Sequence, residues 1–282
     1  MFQKSRLYRL PNGLAVQALS KTDTDLVYEE IFVEDVYRQH GVTLDDCKCI
    51  VDIGANTGLF EVFLNQIAQS VTVYACEPIP AIFEVLSANL QKLDQINAIP
   101  LNVGIGSEKA KETFFVFPRL SCASTMYPDL SAEEQQRGRN YVLDQFRTHP
   151  SRPLQTFLRM LPSVLRNGLA ELVRRYFAKR VEVECQLLSL PDLMVEHSIE
   201  SIDLLKLDAE RSERDILFSI EEHIWPAIRQ VVVEVHEGIE ASQAIEQLLA
   251  KHGFNVAVYN NPHFPNIFML YGIRPAAEAT GC

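Results

Sequence analysis

At 282 residues and 47% hydrophobic composition, the chain can bury a full core, as one α/β domain with an insertion or as two small domains. Its formal net charge of −11 argues against a nucleic-acid partner, whose phosphates it would repel. No apolar run approaches the ~20 residues of a membrane span and no signal-peptide pattern opens the chain, so a cytoplasmic protein is expected.

The chain opens on a small hairpin, RLYRLPNGLAVQAL, with Asn12-Gly13 at the turn. Helical spacing follows over 25–39 (Leu26, Ile31, Phe32, Val36), giving an N-terminal hairpin and helix over residues 1–48. Cys47 and Cys49 form a CxC before the next strand. With Cys76, Cys122, Cys185 and Cys282 scattered and no second cluster, the six cysteines read as reduced thiols. From 49 on, strands and helices alternate: CIVDIG, a helix from Gly58, VTVYACEP, a helix from Ile79 to Lys92, and AIPLNVGIG. Parallel strands need crossover helices, so this alternation implies βαβ units and a parallel sheet.

The pattern breaks at about 119–180, where DLSAEEQQRGRNYVLDQF and PLQTFLRMLPSVLRNGLAELVRRYFAKR read as helices, the second kinked at Pro162. Residues 128–180 are expected to form a helical lid inserted into a single domain spanning 1–282. Leu154, Leu158, Leu161, Leu165, Leu169 and Leu172 recur at helical spacing, which buries that helix or lines a pocket. Residues 131–180 carry ten Lys/Arg against four acids, leaving the rest of the chain at −17. Such asymmetry marks either a surface for an anionic partner or a solvated helical face.

Alternation resumes with VEVECQLLSL, helix PDLMVEHS, strand IDLLKLDAE, a helix over 212–223, strand QVVVEVHE and a helix over 241–252. FNVAVY and NIFMLYGI are joined only by NNPHFPN, too short for a crossover, so they must run antiparallel. A parallel sheet closed by an antiparallel hairpin is the class I methyltransferase arrangement: Rossmann-like, seven-stranded, here with a helical insertion.

Three motifs carry chemistry. Gly54 and Gly58 flank the first strand-to-helix turn, VDIGANTGLF, where a ligand can approach bare backbone and free N–H groups. Glu77, in YACEP, follows Gly58 by 19 residues at the end of the second strand, where an acid can accept both ribose hydroxyl protons. No basic residue follows the glycines to meet a pyrophosphate. A nucleoside cofactor with an uncharged or cationic tail fits better, and S-adenosylmethionine has such a tail. In DLLKLDAERSE, strand periodicity places Lys206, Asp208 and Glu210 on one face while Leu205 and Leu207 point into the core. VVVEVHE adds Glu234 and His236 at the end of the next strand. His236 reads either as a general base or as a structural histidine.

VDIGANTGLF, ACEP with its helix, DLLKLDAERSE and VVVEVHE, in this order, resemble the FkbM-type family of S-adenosylmethionine-dependent methyltransferases over about residues 25–272. The resemblance implies O-methylation, often of hydroxyls in natural products or sugars. It implies that Asp52, Gly54, Asn56 and Gly58 cradle the methionine end, that Glu77 beside Pro78 holds the ribose, and that Asn102, Val103 and Gly104 lie beside the adenine. Asp208 is expected to border the same cofactor. The family usually carries Asp-x-Glu-Gly-x-Glu after the lysine strand; here Arg211 stands in place of that glycine.

Methyl transfer to a hydroxyl needs alignment of the oxygen and removal of its proton. His236 is the expected base, Asp208 and Glu234 orient it or the acceptor, and Lys206 sets the charge of Asp208. Alternatively, Asp208, Glu234 and His236 hold a divalent cation that acidifies the acceptor hydroxyl. The expected acceptor is a small molecule or a chain tethered to a carrier protein. N- or C-methylation, and a non-catalytic binding module of the same fold, are the alternatives.

Overall fold

The structure is a computed structural model, and it describes residues 4–118, 124–127, 143, 156, 160–177, 179–260 and 266–275. Strands β1 (Arg6–Arg9) and β2 (Ala15–Ala18) pair antiparallel as the N-terminal hairpin. The following segment is more broken than its spacing predicts. Helix α1 (Lys21–Tyr28), capped by Ser20, passes into a π-helical turn over Glu29–Val33 and then a 3-10 turn over Val36–Arg38. π-Helical turns are rare and concentrate at functional sites.

The central sheet contains β3 (Cys49–Ile53), β4 (Thr72–Cys76), β5 (Asn97–Leu101), β9 (Leu204–Leu207), β10 (Gln230–Val235), β11 (Asn255–Asn260) and β12 (Phe268–Ile273). Its order is β11-β12-β10-β9-β3-β4-β5. All neighbours are parallel except β12, which lies between β10 and β11 and runs antiparallel to both, as the short connection requires. The order reverses direction between β3 and β9, and in such sheets the crevice at the strand carboxyl ends beside the reversal receives ligands.

One expectation fails on topology. VEVECQLLSL is not part of the alternation: it forms β8 (Val181–Leu188) in a separate three-stranded sheet. There it pairs antiparallel with β7 (Ala110–Val116) over seven residues, and in parallel with the short β6 (Gly104–Ile105). The exposed outer residues of β7 and β8 explain why neither belongs to a sheet covered on both faces.

Crossover helices α2 (Leu59–Ile67), α3 (Pro80–Leu90), α5 (Leu190–His197), α6 (Glu213–Ser219) and α7 (Ile239–Lys251) cover the sheet. α6 ends at Ser219, short of the expected 223. Val51, Ile53, Leu205, Leu207, Val231 and Val233 face the core under α5 to α7. Ile50, Leu204 and Val232 face a second core with Tyr37, Phe60 and the N-terminal segment. Because both faces are buried, Lys206 is as enclosed as its leucine neighbours, at 2% exposure.

Of the expected lid, α4 (Ser163–Phe177) is described and most of the remainder lies outside the described residues. Arg166 N–H donates to Pro162 O, so Pro162 stands at the start of α4. Within α4, Ala170 is buried but Leu165 and Leu172 are 59% and 66% exposed, so these two leucines do not bury the helix.

Candidate active site

The turn after β3 is fixed by its own hydrogen bonds. Gly54 and Ala55 N–H both donate to Cys76 O, and Gly54, Asn56 and Gly58 all have left-handed φ. A Cβ on Gly54 would lie 1.9 Å from Asp208 O, and one on Gly58 would meet Leu90 and Leu86 at 2.7 and 2.8 Å. Gly54 is therefore demanded by the backbone packed against it and Gly58 by its left-handed φ, before any ligand is considered. At the end of β4, Glu77 is 5% exposed. Asn56 N–H donates to its Oε2 at 3.2 Å and Ile79 N–H to its Oε1 at 2.8 Å. Burial lifts this carboxyl to about 8 despite the two backbone donors. One donor on each oxygen leaves acceptor capacity for two hydroxyl groups. Asn102 donates through Nδ2 to Glu77 O and Pro78 O, and Gly104 lies against Pro78. Val103 instead packs on the main core.

Asp52 and Lys206, paired in register on β3 and β9, sit beneath this turn rather than in it. Lys206 Nζ donates to Asp52 Oδ1 at 2.8 Å, with side-chain exposures of 3% and 0%. The rings of Tyr37 and Phe60 lie 5.0 and 5.6 Å from the ammonium. So enclosed, the pair supports the crevice floor; neither side chain has the surface to touch a ligand. Glu61, fully buried on α2, is held well above the carboxylate range by burial and then by Asp52. A carboxyl raised in the fold contributes stability that is complete below about pH 4.5 and is lost as pH rises through its folded value. Glu61→Gln should therefore reduce the fall in Tm between pH 5 and 8.5 by about 2 °C or more, measured by thermal melts across that range.

The carboxyl ends of β9 and β10 bring Asp208, Glu234 and His236 together, with ligand-type atoms all within 4.8 Å of one another. His236 is held from behind: its Nδ1 lies 3.1 Å from Glu213 Oε1, on a side chain with no exposure. That same oxygen accepts the N–H groups of Ala209 and Arg211. An oxygen surrounded by donors requires Nδ1 to carry a proton, which leaves Nε2 as the nitrogen able to accept one. Glu210 Oε2 and Glu234 Oε1 each stand 3.7 Å from Nε2. Burial would lower the imidazole, but Glu210, Glu213 and Glu234 outweigh it and lift His236 well above its ordinary value. Burial likewise lifts Glu210 and Glu234 to about 8 and raises Asp208.

Two members of this cluster escaped sequence reasoning. Glu213 reads from sequence as a helix-start acid, and only folding turns it against His236. Glu30 comes from the π-helical turn; burial, then Glu234 and Asp208, hold it well above the carboxylate range. Nothing in the sequence sets Glu30 apart from its acidic neighbours Glu29, Glu34 and Asp35, so no local signal marked it.

Residues 52–256, from the end of β3 to the first residues of β11, match the model of the methyltransferase FkbM domain. The chain belongs to the FkbM methyltransferase family. It is 32% identical to the 31-O-demethyl-FK506 methyltransferase FkbM of Streptomyces tacrolimicus over 91% of both chains. It is 31% identical over 94% of its length to the AMB antimetabolite synthetase AmbE of Pseudomonas aeruginosa, of which it spans 12%. Among solved structures, Aeropyrum pernix fibrillarin with natively bound S-adenosylmethionine is 10% identical, with a TM-score of 0.42 over 97% of this chain and 84% of that one. This FkbM-family protein is thus an S-adenosylmethionine-dependent methyltransferase of Rossmann-like class I architecture. The residues present fit that cofactor: Glu77 keeps acceptor capacity for a ribose, and the carboxylates of Asp208, Glu210 and Glu234 suit a cationic tail. No described helix is long and apolar enough to cross a membrane.

Proposed function

We propose that this enzyme O-methylates a hydroxyl of a natural product or sugar, with His236 as the general base. The single observation behind this reading is the Glu213–His236 pair at 3.1 Å, which fixes the ring with Nε2 beside Asp208 and Glu234. When bound, S-adenosylmethionine supplies an electrophilic methyl group on a sulfonium. Glu77, Asn56 and Pro78 would border its ribose. His236 Nε2 would take the acceptor hydroxyl proton, and Glu213 would stabilise the resulting imidazolium through Nδ1–H. Asp208 and Glu234 would orient the acceptor oxygen. The name of the Streptomyces relative, an O-demethyl natural-product methyltransferase, supports this choice of atom and substrate class. Mass spectrometry of products from a panel of hydroxylated metabolites tests it: methylation on nitrogen or carbon alone would reject the reading.

The convergence of Asp208, Glu234 and His236 favours a second reading, in which these three hold a divalent cation. Mixed carboxylate and imidazole ligands suit Mg²⁺, Mn²⁺ or Fe²⁺, which would acidify the acceptor hydroxyl. Loss of activity with a chelator, restored by added metal, would support this reading; full activity in chelator would remove it.

The acceptor is further proposed to arrive on an acidic carrier protein. The similarity to part of a much longer synthetase supports this, as does the basic 131–180 segment on an acidic body. Arg175 and Lys179 are exposed at the end of α4. Reversing both to Glu should slow methylation of a carrier-tethered acceptor several-fold at low salt, with a smaller loss at high salt. Equal rates for both forms on tethered acceptor would make the charge a solvated face.

A further inference from the structure

The loop between β9 and α6 contains a conformational anomaly. Glu210 and Arg211 are successive non-glycine residues with φ of +46° and +79°. A residue with a Cβ enters this region only at a cost, and such outliers persist where surrounding structure enforces them. Here the enforcing contacts run to one short segment, 124–127. Arg211 Nη1 donates to Tyr127 O at 3.2 Å, and Tyr127 O–H donates to Asp215 Oδ2 at 2.6 Å. Thr125 Oγ1 donates to Glu210 O at 2.5 Å. The segment is anchored in turn to β7 by paired Phe115 and Thr125 backbone hydrogen bonds. Two of these contacts fasten the loop itself and the third the first turn of α6, all to a support 84 to 88 residues away in sequence.

The loop and the first residue of α6 carry the two acids that flank the histidine. Glu210 Oε2 stands 3.7 Å from His236 Nε2, and Glu213 Oε1 stands 3.1 Å from Nδ1. Glycine would take the +79° position without strain, yet it would supply no donor to Tyr127 O. Arginine at this position therefore exchanges local ease for a contact across the site.

We propose that Arg211 is a positioning residue: by gripping Tyr127 it holds the strained loop so that Glu210 stays beside His236. It touches none of the reacting atoms and acts through Glu210. The catalytic consequence rests on His236 being the base, but the test does not use turnover, so the two ideas can fail separately.

In the cofactor-free, metal-free enzyme, the His236 ring resonances are read by NMR at one fixed pH and the Thr125 amide by hydrogen exchange. Arg211→Gly should keep or raise Tm, because the backbone strain is relieved. It should nonetheless accelerate Thr125 exchange by ~10-fold or more. The His236 ring resonances should move, because Glu210 retreats from Nε2 while Glu213 stays on Nδ1. Arg211→Lys keeps charge and reach and should restore most of both readouts. Should the glycine variant fold poorly, Arg211→Asn, which tolerates the left-handed φ but is too short to hold Tyr127 O, must move exchange and resonances in the same way. Wild-type exchange and resonances in Arg211→Gly, or in Arg211→Asn, would overturn the proposal. So would a lowered Tm with unmoved His236 resonances, which describes a merely structural residue.

Discussion

His236→Ala is expected to lower turnover by at least ~100-fold while leaving affinity for S-adenosylhomocysteine near wild type. The substitution leaves the proposed ribose contact in place: His236 lies at the β10 end with Asp208 and Glu234, whereas the glycine-rich turn meets Glu77 at the β4 end. His236→Gln, which keeps bulk and a polar group against Glu213, should lose nearly as much turnover, because an amide cannot take up the proton. The wild-type pH profile should carry the signature of the cluster. His236 is lifted well above its ordinary range, and Glu210 and Glu234 to about 8, so the resting cluster holds protons at neutral pH. A base must be deprotonated to act, so kcat should climb from pH 6 through about 8 and level off above the folded pKa of the group that serves. In both His236 variants that climb should flatten. Steady-state rates across this range decide the matter: unchanged turnover in His236→Ala would sink the role.

Much of this architecture was readable from the chain, because backbone chemistry leaves local traces. A six-residue connection between FNVAVY and NIFMLYGI forces antiparallel pairing whatever the rest of the fold does. Glu77 and His236 were placed by strand ends and periodicity alone. What escaped was whatever depends on distant partners. Asp52 and Lys206 are 154 residues apart, and nothing in either strand announces that they meet. The lysine therefore read as a group at the crevice when it is sealed beneath it. Gly54 illustrates a subtler limit: the pattern was visible, but its cause, the Asp208 carbonyl from another strand, was not. β8 looked like one more strand of the alternation because its partner β7 lies across the whole insertion.

Glu77→Gln should weaken S-adenosylhomocysteine binding by roughly 10- to 100-fold, about 1.5–3 kcal/mol for a charge-assisted contact to ribose hydroxyls. Glutamine is the informative replacement. Alanine would also strip the acceptors from Asn56 and Ile79 N–H, which lock the glycine-rich turn and the start of α3, so its loss would mix binding with collapse of the turn. Gln keeps one carbonyl oxygen for one of those donors but presents an NH₂ where the other acceptor stood. The raised Glu77 value adds a sign. A carboxyl at about 8 in the free enzyme is held partly neutral at pH 7, so binding that prefers the carboxylate should tighten as pH rises from 6.5 to 8.5 in wild type. Gln has no proton to lose, and its affinity should stay flat over the same interval. Calorimetric titration with S-adenosylhomocysteine at several pH values reads both effects, with the Tm of the variant as a check on folding. Wild-type affinity in a folded Glu77→Gln variant would remove Glu77 from the ribose site and leave it as a clamp on the turn.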